Sequence, residues 1–588
     1  MHGAGSFMTK LFKYMRAYRK EAILAPVFKM LEALFDLLVP LVIRILIDTG
    51  IAGHNRACIL QMGGLLVLLA AVGLAMAVTA QYFAAKAATG FTARIRSALF
   101  THIQSLSYTE LDTLGTSTME TRLTSDMNQV QSGTNLALRL LLRSPFIVFG
   151  SMILAFTIDV REAVIFVIVI PVLMAVVFGI MLVCIPLYRK VQKSLDRVTG
   201  LTRENLAGVR VIRAFGREAQ ETGRFNDANE SLNDLQKFVG KISAALNPVT
   251  FVIINIASLV LIWTGAWRVD SGALTQGAVI ALVNYMSQIL VELIKFADLV
   301  ININRSVACG NRIQAVMEMK SSMEDGAGVS DNAQASAPDS SVPAVQFDHV
   351  SLRYHASSED AVSEITLTVP HGSTVGIIGG TGSGKSTVVS MIPRYYDATG
   401  GRVLVDGRDV RDYRISDLRA KIGYVPQKAV LFSGTIADNL RWGRQDATEE
   451  DMWEALRIAQ AEDFVREKPG GLSALVEQGG RNFSGGQRQR LTIARALISR
   501  PEILILDDSA SALDFATDAK LRKAIREMKN SPAVFIVSQR AASMLYADQI
   551  LVLDDGRPAG LGTSDELLKS CPVYREIYET QFEKRGGD

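Results

Sequence analysis

The stretch Thr374-Val375-Gly376-Ile377-Ile378-Gly379-Gly380-Thr381-Gly382-Ser383-Gly384-Lys385-Ser386-Thr387 decides how this chain is read. TVGII has the unbroken apolar composition of a strand buried on both faces, and STVVSMI continues as a helix. The eight residues Gly379–Ser386 between them match GxxxxGK[ST] in the context that gives the pattern its meaning. The glycines let backbone N–H groups curl around a phosphate with no Cβ in the way. Lys385 is placed to reach the β- and γ-phosphates, Ser386 to ligate Mg²⁺, and the helix N-terminus adds partial positive charge. The expectation is a nucleoside triphosphate site on an α/β fold.

Outward from that loop, residues 343–588 alternate short β-rich runs with helical stretches. Val345–Phe347, Thr374–Ile378, Ile503–Leu506 and Val534–Val537 read as strands, which argues for a mostly parallel sheet. Ile503-Leu504-Ile505-Leu506 ends in Asp507-Asp508. A carboxylate at the end of a parallel strand beside a phosphate loop can hold Mg²⁺ directly or through water, and Asp507 takes that role.

The other direction is different in kind. Of 588 residues, 49% are hydrophobic and 21% charged, and the apolar excess lies before about residue 310. No charge interrupts Ala57–Ala85, Ala163–Leu187, Ile242–Trp267 or Ser271–Val291. Each run exceeds the ~20 residues that cross a hydrocarbon core of ~30 Å. Ser144–Ile158 is shorter but extends inward through Asn135–Leu142. Ala22–Ile47 is broken by Lys29, Glu32, Asp36 and Arg44. Six spans are expected over 22–320. Lys and Arg number six in 86–143 and eleven in 188–241, but one in each of 48–56, 159–162 and 268–270. Basic connections stay in the cytoplasm, so both termini and the nucleotide site are placed there, on a multi-pass protein of the plasma or inner membrane. Breaks at Asp112–Thr118 and Gly208–Gly216 should turn the long cytoplasmic extensions. Residues 1–21, where basic and aromatic residues interleave, read as an amphipathic helix on the inner leaflet rather than a signal peptide. Residues 321–342 are small and polar, a flexible linker.

The averages exclude several classes. A net charge of +3 from 62 basic and 59 acidic residues argues against nucleic acid as partner. Cys58, Cys184, Cys309 and Cys571 lie far apart, giving neither a zinc site nor a disulfide framework.

Phe483-Ser484-Gly485-Gly486-Gln487, followed by RQRLTIARAL, completes a set in which the chain resembles an ATP-binding cassette (ABC) transporter over nearly its whole length. FSGGQ is close to the LSGGQ signature, Gly379–Ser386 and Ile503–Asp508 are similar to the Walker A and B elements, and Gln427 in YVPQ resembles the Q-loop. Ser511–Asp514 resembles the D-loop. Tyr354, 25 residues before Gly379, resembles the aromatic that stacks on adenine, although a strand aromatic packed on the sheet would look the same. Six spans ahead of one cassette resemble an exporter-type (type IV) half-transporter, in which the breaks at 112–118 and 208–216 would be coupling helices. The resemblance implies a dimer that holds each ATP between one chain's phosphate loop, with Thr387 beside it, and the other chain's Ser484, Gly485, Gly486 and Gln487. It assigns Mg²⁺ to Ser386, Gln427 and Asp507, and the hydrolytic machinery to Asp508, Gln539 and Gln427.

Two positions depart from the family pattern. Asp508 stands where a glutamate polarises the attacking water; the missing methylene withdraws the carboxylate by roughly 1–1.5 Å. Gln539, in VSQR, stands where a switch histidine is expected. An amide can still donate to a γ-phosphate but cannot become cationic. The expectation is a hydrolysis-impaired site in one half of a heterodimer, whose intact signature serves a non-identical partner with Glu and His. A homodimer would have two impaired sites. The membrane half is nearly silent on cargo: small amphiphilic drugs, lipids or peptides are the family's usual exports, while import of siderophores and an ATP-gated regulatory role are the alternatives. Asn255, Asn284 and Gln288 near mid-span could line a cavity or bond between helices.

Overall fold

A computed structural model describes residues 10–326, 342–354, 357 and 359–582. The expected linker therefore lies largely outside the described residues, as do positions 1–9 of the expected N-terminal helix. The chain forms two compact units: Met1–Gln104 with Gly115–Met319, and Ser105–Leu114 with Lys320–Asp588.

The first unit is helical. Among the described residues, five helical stretches are long and apolar enough to cross a membrane: Arg56–Gln104, Thr116–Ile158, Val160–Ala207, Glu218–Asp270 and Gln276–Glu318. At 1.5 Å per residue the 49 residues of Arg56–Gln104 extend about 74 Å, far more than a bilayer core. The helix Arg19–Ile45 is also long enough, at 27 residues, but its charges keep it out of the apolar class.

Those charges have partners. Lys29 Nζ lies 2.5 Å from Glu32 Oε2, and Arg44 lies 3.7 Å from Asp48. Arg143, buried at the start of the helix Arg143–Ile158, meets Asp36 at 2.9 Å and Glu32 at 3.8 Å, and bonds Glu292 of the last helix. Lys295 lies 3.0 Å from Glu292, and Ser144 Oγ donates to it at 2.9 Å. Three cations and three carboxylates thus close a neutral network among three helices. Tyr285 adds a buried O–H donated to Leu37 O at 2.7 Å, and Gln288 donates to Asp36 O at 3.3 Å. Gln288 therefore bonds between helices, whereas Asn255 is exposed.

The connections are tight. Asp159 alone is extended between two helices, and its carboxylate caps Val160–Ala207 by accepting from the N–H groups of Arg161 and Glu162. The long helical extensions break where the sequence suggested. Short helices Tyr108–Leu114 and Thr116–Thr121 flank Gly115 at φ 72°, and Val209–Ala214 is followed by Gly216 at φ 59°. Both glycines stand at positive φ, a backbone that favours glycine and interrupts the helix.

The second unit carries two main sheets. Six strands run in the order Arg557–Gly562, Gln549–Asp554, Thr374–Gly379, Ala533–Val537, Ile503–Asp507, Ile422–Val425, with all neighbours parallel except the first pair. The central strands are buried along their length, which is why they read as continuous apolar runs. A four-stranded antiparallel sheet joins Val362–Val369, Val345–Leu352, Gly400–Val405 and Arg408–Asp409. Tyr108 of the short helix Tyr108–Leu114, part of this unit, packs on Tyr395 and Tyr396 with ring centroids 4.6 and 6.1 Å away, and Tyr396 O–H donates to Asp112.

Candidate functional site

Parallel pairing in register brings the chemistry together. Val537 sits opposite Asp507 on one side and Ile377 on the other, so three strand ends open on one crevice. A cavity of about 330 Å³ lies there, lined by Tyr354, Thr381, Gly382, Gly384, Lys385, Ser386, Thr387, Gln427, Asp508 and Gln539, with Ala361 and Val537. Ten sequence-predicted residues thus meet in one pocket.

The loop owes its shape to its glycines. Gly382 and Gly384 stand at φ 85° and 88°. Gly379 has a different reason: a Cβ there would lie 2.2 Å from Leu553 O. Gly379, Gly380 and Ser383 do not line the cavity. Lys385 folds back on the loop, donating to Gly379 O at 3.0 Å and Gly380 O at 2.5 Å, with Ser383 Oγ at 3.3 Å. Burial lowers its pKa, against the opposing pull of Asp508 and Asp507. A buried ammonium held only by neutral oxygens beside open backbone is a site for an anion.

Asp507, buried at its strand end, accepts from Ser386 Oγ at 2.8 Å and from Tyr424 O–H at 3.1 Å. Burial pushes its pKa up, with the two hydroxyls opposing. The hydroxyl–carboxylate pair fits the all-oxygen ligand set Mg²⁺ requires, and Ser386 and Asp507 would hold such an ion against phosphate. Gln427 Nε2 donates to Asp508 Oδ2 at 3.2 Å. Tyr354 lines the pocket, bonds Thr387 Oγ1 at 3.1 Å, and packs edge-on against Tyr396 at 5.1 Å.

Ser484, Gly485, Gly486 and Gln487 do not line this pocket. Ser484 caps the helix Gly485–Leu497 through a reciprocal pair, Gln487 N–H to Ser484 Oγ at 3.3 Å and Ser484 N–H to Gln487 Oε1 at 3.0 Å. The first glycine is open, with no atom within 4 Å of a Cβ built there. Phe483 points the other way, buried in the core with Lys468 Nζ 4.4 Å from its ring centre. The departure from the usual leucine is thus absorbed by packing.

Sequence reasoning missed the backbone of Asp508 and the supporting roles of Arg540 and Gln581. Asp508 has φ 45°, a left-handed backbone that aspartate tolerates better than most side chains. Arg540 donates to Ser511 O at 3.1 Å and Leu513 O at 3.3 Å, tying the segment after Gln539 to the segment after Asp508. Gln581 donates to Gln539 O and accepts from Ala541 N–H, both at 2.8 Å. The adjacent Arg540 offered a clue as a lone cation beside the strand end; Gln581, 42 residues on, offered none.

This arrangement, a helical membrane-type unit followed by a phosphate-loop α/β unit, defines an ATP-driven membrane transporter. Residues 22–293 match the ABC transporter transmembrane region and residues 362–511 the ABC transporter family. An uncharacterised ABC transporter ATP-binding protein of Mycobacterium tuberculosis is 37% identical over 574 residues, 97% of each chain. The uncharacterised ABC transporter ATP-binding protein YfiB of Bacillus subtilis is 34% identical over 99% of this chain and all of its own. A multidrug efflux ATP-binding/permease protein of M. tuberculosis is 34% identical over 66% of this chain and 32% of its own. A bacterial Atm1-family ABC exporter solved with ATP bound shares the fold with a TM-score of 0.77 at 23% identity, over 96% of this chain and 98% of that one. The chain belongs to the ABC transporter family: an ATP-hydrolysing transporter with the exporter fold, of a kind that works as a dimer in the membrane.

Proposed function

We propose that this chain is one half of a heterodimeric exporter, that its own ATP site hydrolyses slowly, and that its signature completes a faster site on a different chain. The observation that carries this is the pair Asp508 and Gln539 on the wall of the phosphate pocket, beside Lys385 and Ser386. A shortened acid and a neutral amide thus occupy the positions where water would be polarised and the γ-phosphate contacted. The groups for binding remain: Lys385 and the loop amides for phosphate, Ser386, Asp507 and Gln427 for Mg²⁺, and Tyr354 for adenine. Asp508 is further committed to Gln427 at 3.2 Å.

In this reading Arg19–Ile45 is the sixth span, its charges neutralised by the network around Arg143. Both termini and the cassette face the cytoplasm, as the basic connections require. The cargo is a small amphiphile moved outward, a reading supported by the multidrug efflux relative.

The test measures ATP hydrolysis by the purified chain alone and with its partner. Alone it should turn over slowly. In the assembled pair, Asp508→Glu with Gln539→His should raise turnover at the site built on this chain about 100-fold or more, the scale at which a positioned base contributes. Robust hydrolysis by this chain alone, at a rate the double substitution leaves unchanged, refutes the heterodimer reading.

A further inference from the structure

The N-terminal approach to the first helix forms a built groove of about 570 Å³, lined by Lys10, Phe12, Lys13, Met15, Arg16, Arg19, Ala22 and Ile23. Phe12–Tyr18 is a short 3-10 helix leading directly into Arg19–Ile45. It is held in place by aromatic contacts with the helix Arg56–Gln104. Tyr18 seats on Gly90, where any Cβ would fall 2.2 Å from the ring, and Arg94 stacks on the same ring at 5.6 Å. The Phe12 and Phe91 rings stack at 6.3 Å.

The charges around this groove do not cancel. Glu21, two residues beyond Arg19, is taken by Lys86 at 3.0 Å, and Lys10 pairs with Glu318 at 2.6 Å. Lys13, Arg16 and Arg19 have no carboxylate partner among the described residues, and all three are exposed. Beside them Phe12 is 48% and Ile23 65% exposed, so the groove has cationic walls and an apolar edge.

We propose that this groove binds the phosphate headgroup of an anionic glycerophospholipid, with Lys13, Arg16 and Arg19 on the phosphate and Ile23 and Phe12 against the top of the acyl chains. This rests on the reading of Arg19–Ile45 as a span, which puts the groove at the level of the headgroups, where a 27-residue helix begins. Cations without a carboxylate partner beside the exposed Phe12 and Ile23 complement a molecule that joins an anion to a hydrocarbon. The proposal goes beyond the transport reading and needs neither the partner chain nor the slow site. Lipid preference can fail with transport intact, and the reverse.

The test titrates the purified full-length chain in neutral detergent with phosphatidylglycerol, phosphatidylcholine or inorganic phosphate, counting bound molecules by native mass spectrometry. Phosphatidylglycerol should bind at least fivefold more tightly than phosphatidylcholine, and millimolar inorganic phosphate should not displace it. Lys13→Ala, Arg16→Ala and Arg19→Ala should each weaken it about fivefold, while Arg16→Lys and the remote Lys237→Ala should not. Equal affinity for the two lipids on the unaltered chain overturns the proposal, whatever the folding of the variants. So does displacement by free phosphate, which would make this a site for a soluble anion, or an alanine series that leaves the preference unchanged.

Discussion

Replacing Arg143 by methionine should cost the helical unit about 3–5 kcal/mol, the penalty for removing one partner from a buried ion network. The magnitude follows from what is left behind. Glu292 would retain Lys295 at 3.0 Å and Ser144 at 2.9 Å but lose its guanidinium, and Asp36 would lose its 2.9 Å partner. Two cations would then face three carboxylates, with Glu292 buried, Glu32 mostly buried, and Asp36 and Lys295 half exposed. The shape is nearly kept by methionine, so the loss reports charge rather than volume. Pairing Arg143→Met with Glu292→Gln restores the balance, two cations against two carboxylates, and leaves the Ser144 contact possible. The double variant should therefore recover more than half of the loss. Thermal unfolding midpoints of the purified chain in detergent read this directly. On the scale of a few degrees per kcal/mol the single variant should melt on the order of 5–15 °C lower. A shift of only a degree or two for Arg143→Met, or a double variant no better than the single one, would refute the view that these six groups act as one neutral unit.

Two further outcomes concern the nucleotide pocket. Burial depresses the Lys385 pKa below its ordinary 10.5. Its phosphate-binding charge is complete well below the depressed value and is lost as pH rises through it. Fluorescent ATP-analogue affinity should therefore start to fall at a pH lower than for a solvent-exposed lysine, and Lys385→Arg, with its higher pKa, should flatten that alkaline limb. Gly379→Ala should disrupt the phosphate loop despite being the smallest possible change, because the new methyl meets the Leu553 carbonyl at 2.2 Å. Nucleotide affinity should drop by at least 10-fold; affinity equal to that of the unaltered chain would contradict the packing described.

The reach of sequence reasoning differs between the two units for a physical reason. A strand buried on both faces must be apolar throughout, so TVGIIG, ILILD and AVFIV announce a parallel sheet without any partner being known. A phosphate loop is equally local, since its glycines and lysine act within eight residues. The first helix was harder. Lys29, Glu32 and Asp36 weaken its apolar signal, and only the neighbouring helices, which carry Arg143 and Glu292, show how those charges are neutralised.

By itself, the sequence determined that Gly379–Ser386 is a phosphate loop after a buried strand, that Asp507 ends a second such strand, and that long apolar helices precede them. Each of these rests on covalent neighbours: backbone conformation, side-chain period and run length. Only the tertiary structure decided that Asp508 would adopt a left-handed backbone against Gln427, that Gln581 would clamp the carbonyl of Gln539, and that Phe483 would turn into the core. Those contacts join residues 42 to 81 positions apart or depend on how neighbouring elements pack, and no local pattern encodes them. The phosphate loop with which the reading began is thus local in its chemistry, while the pocket around it is a product of strand register.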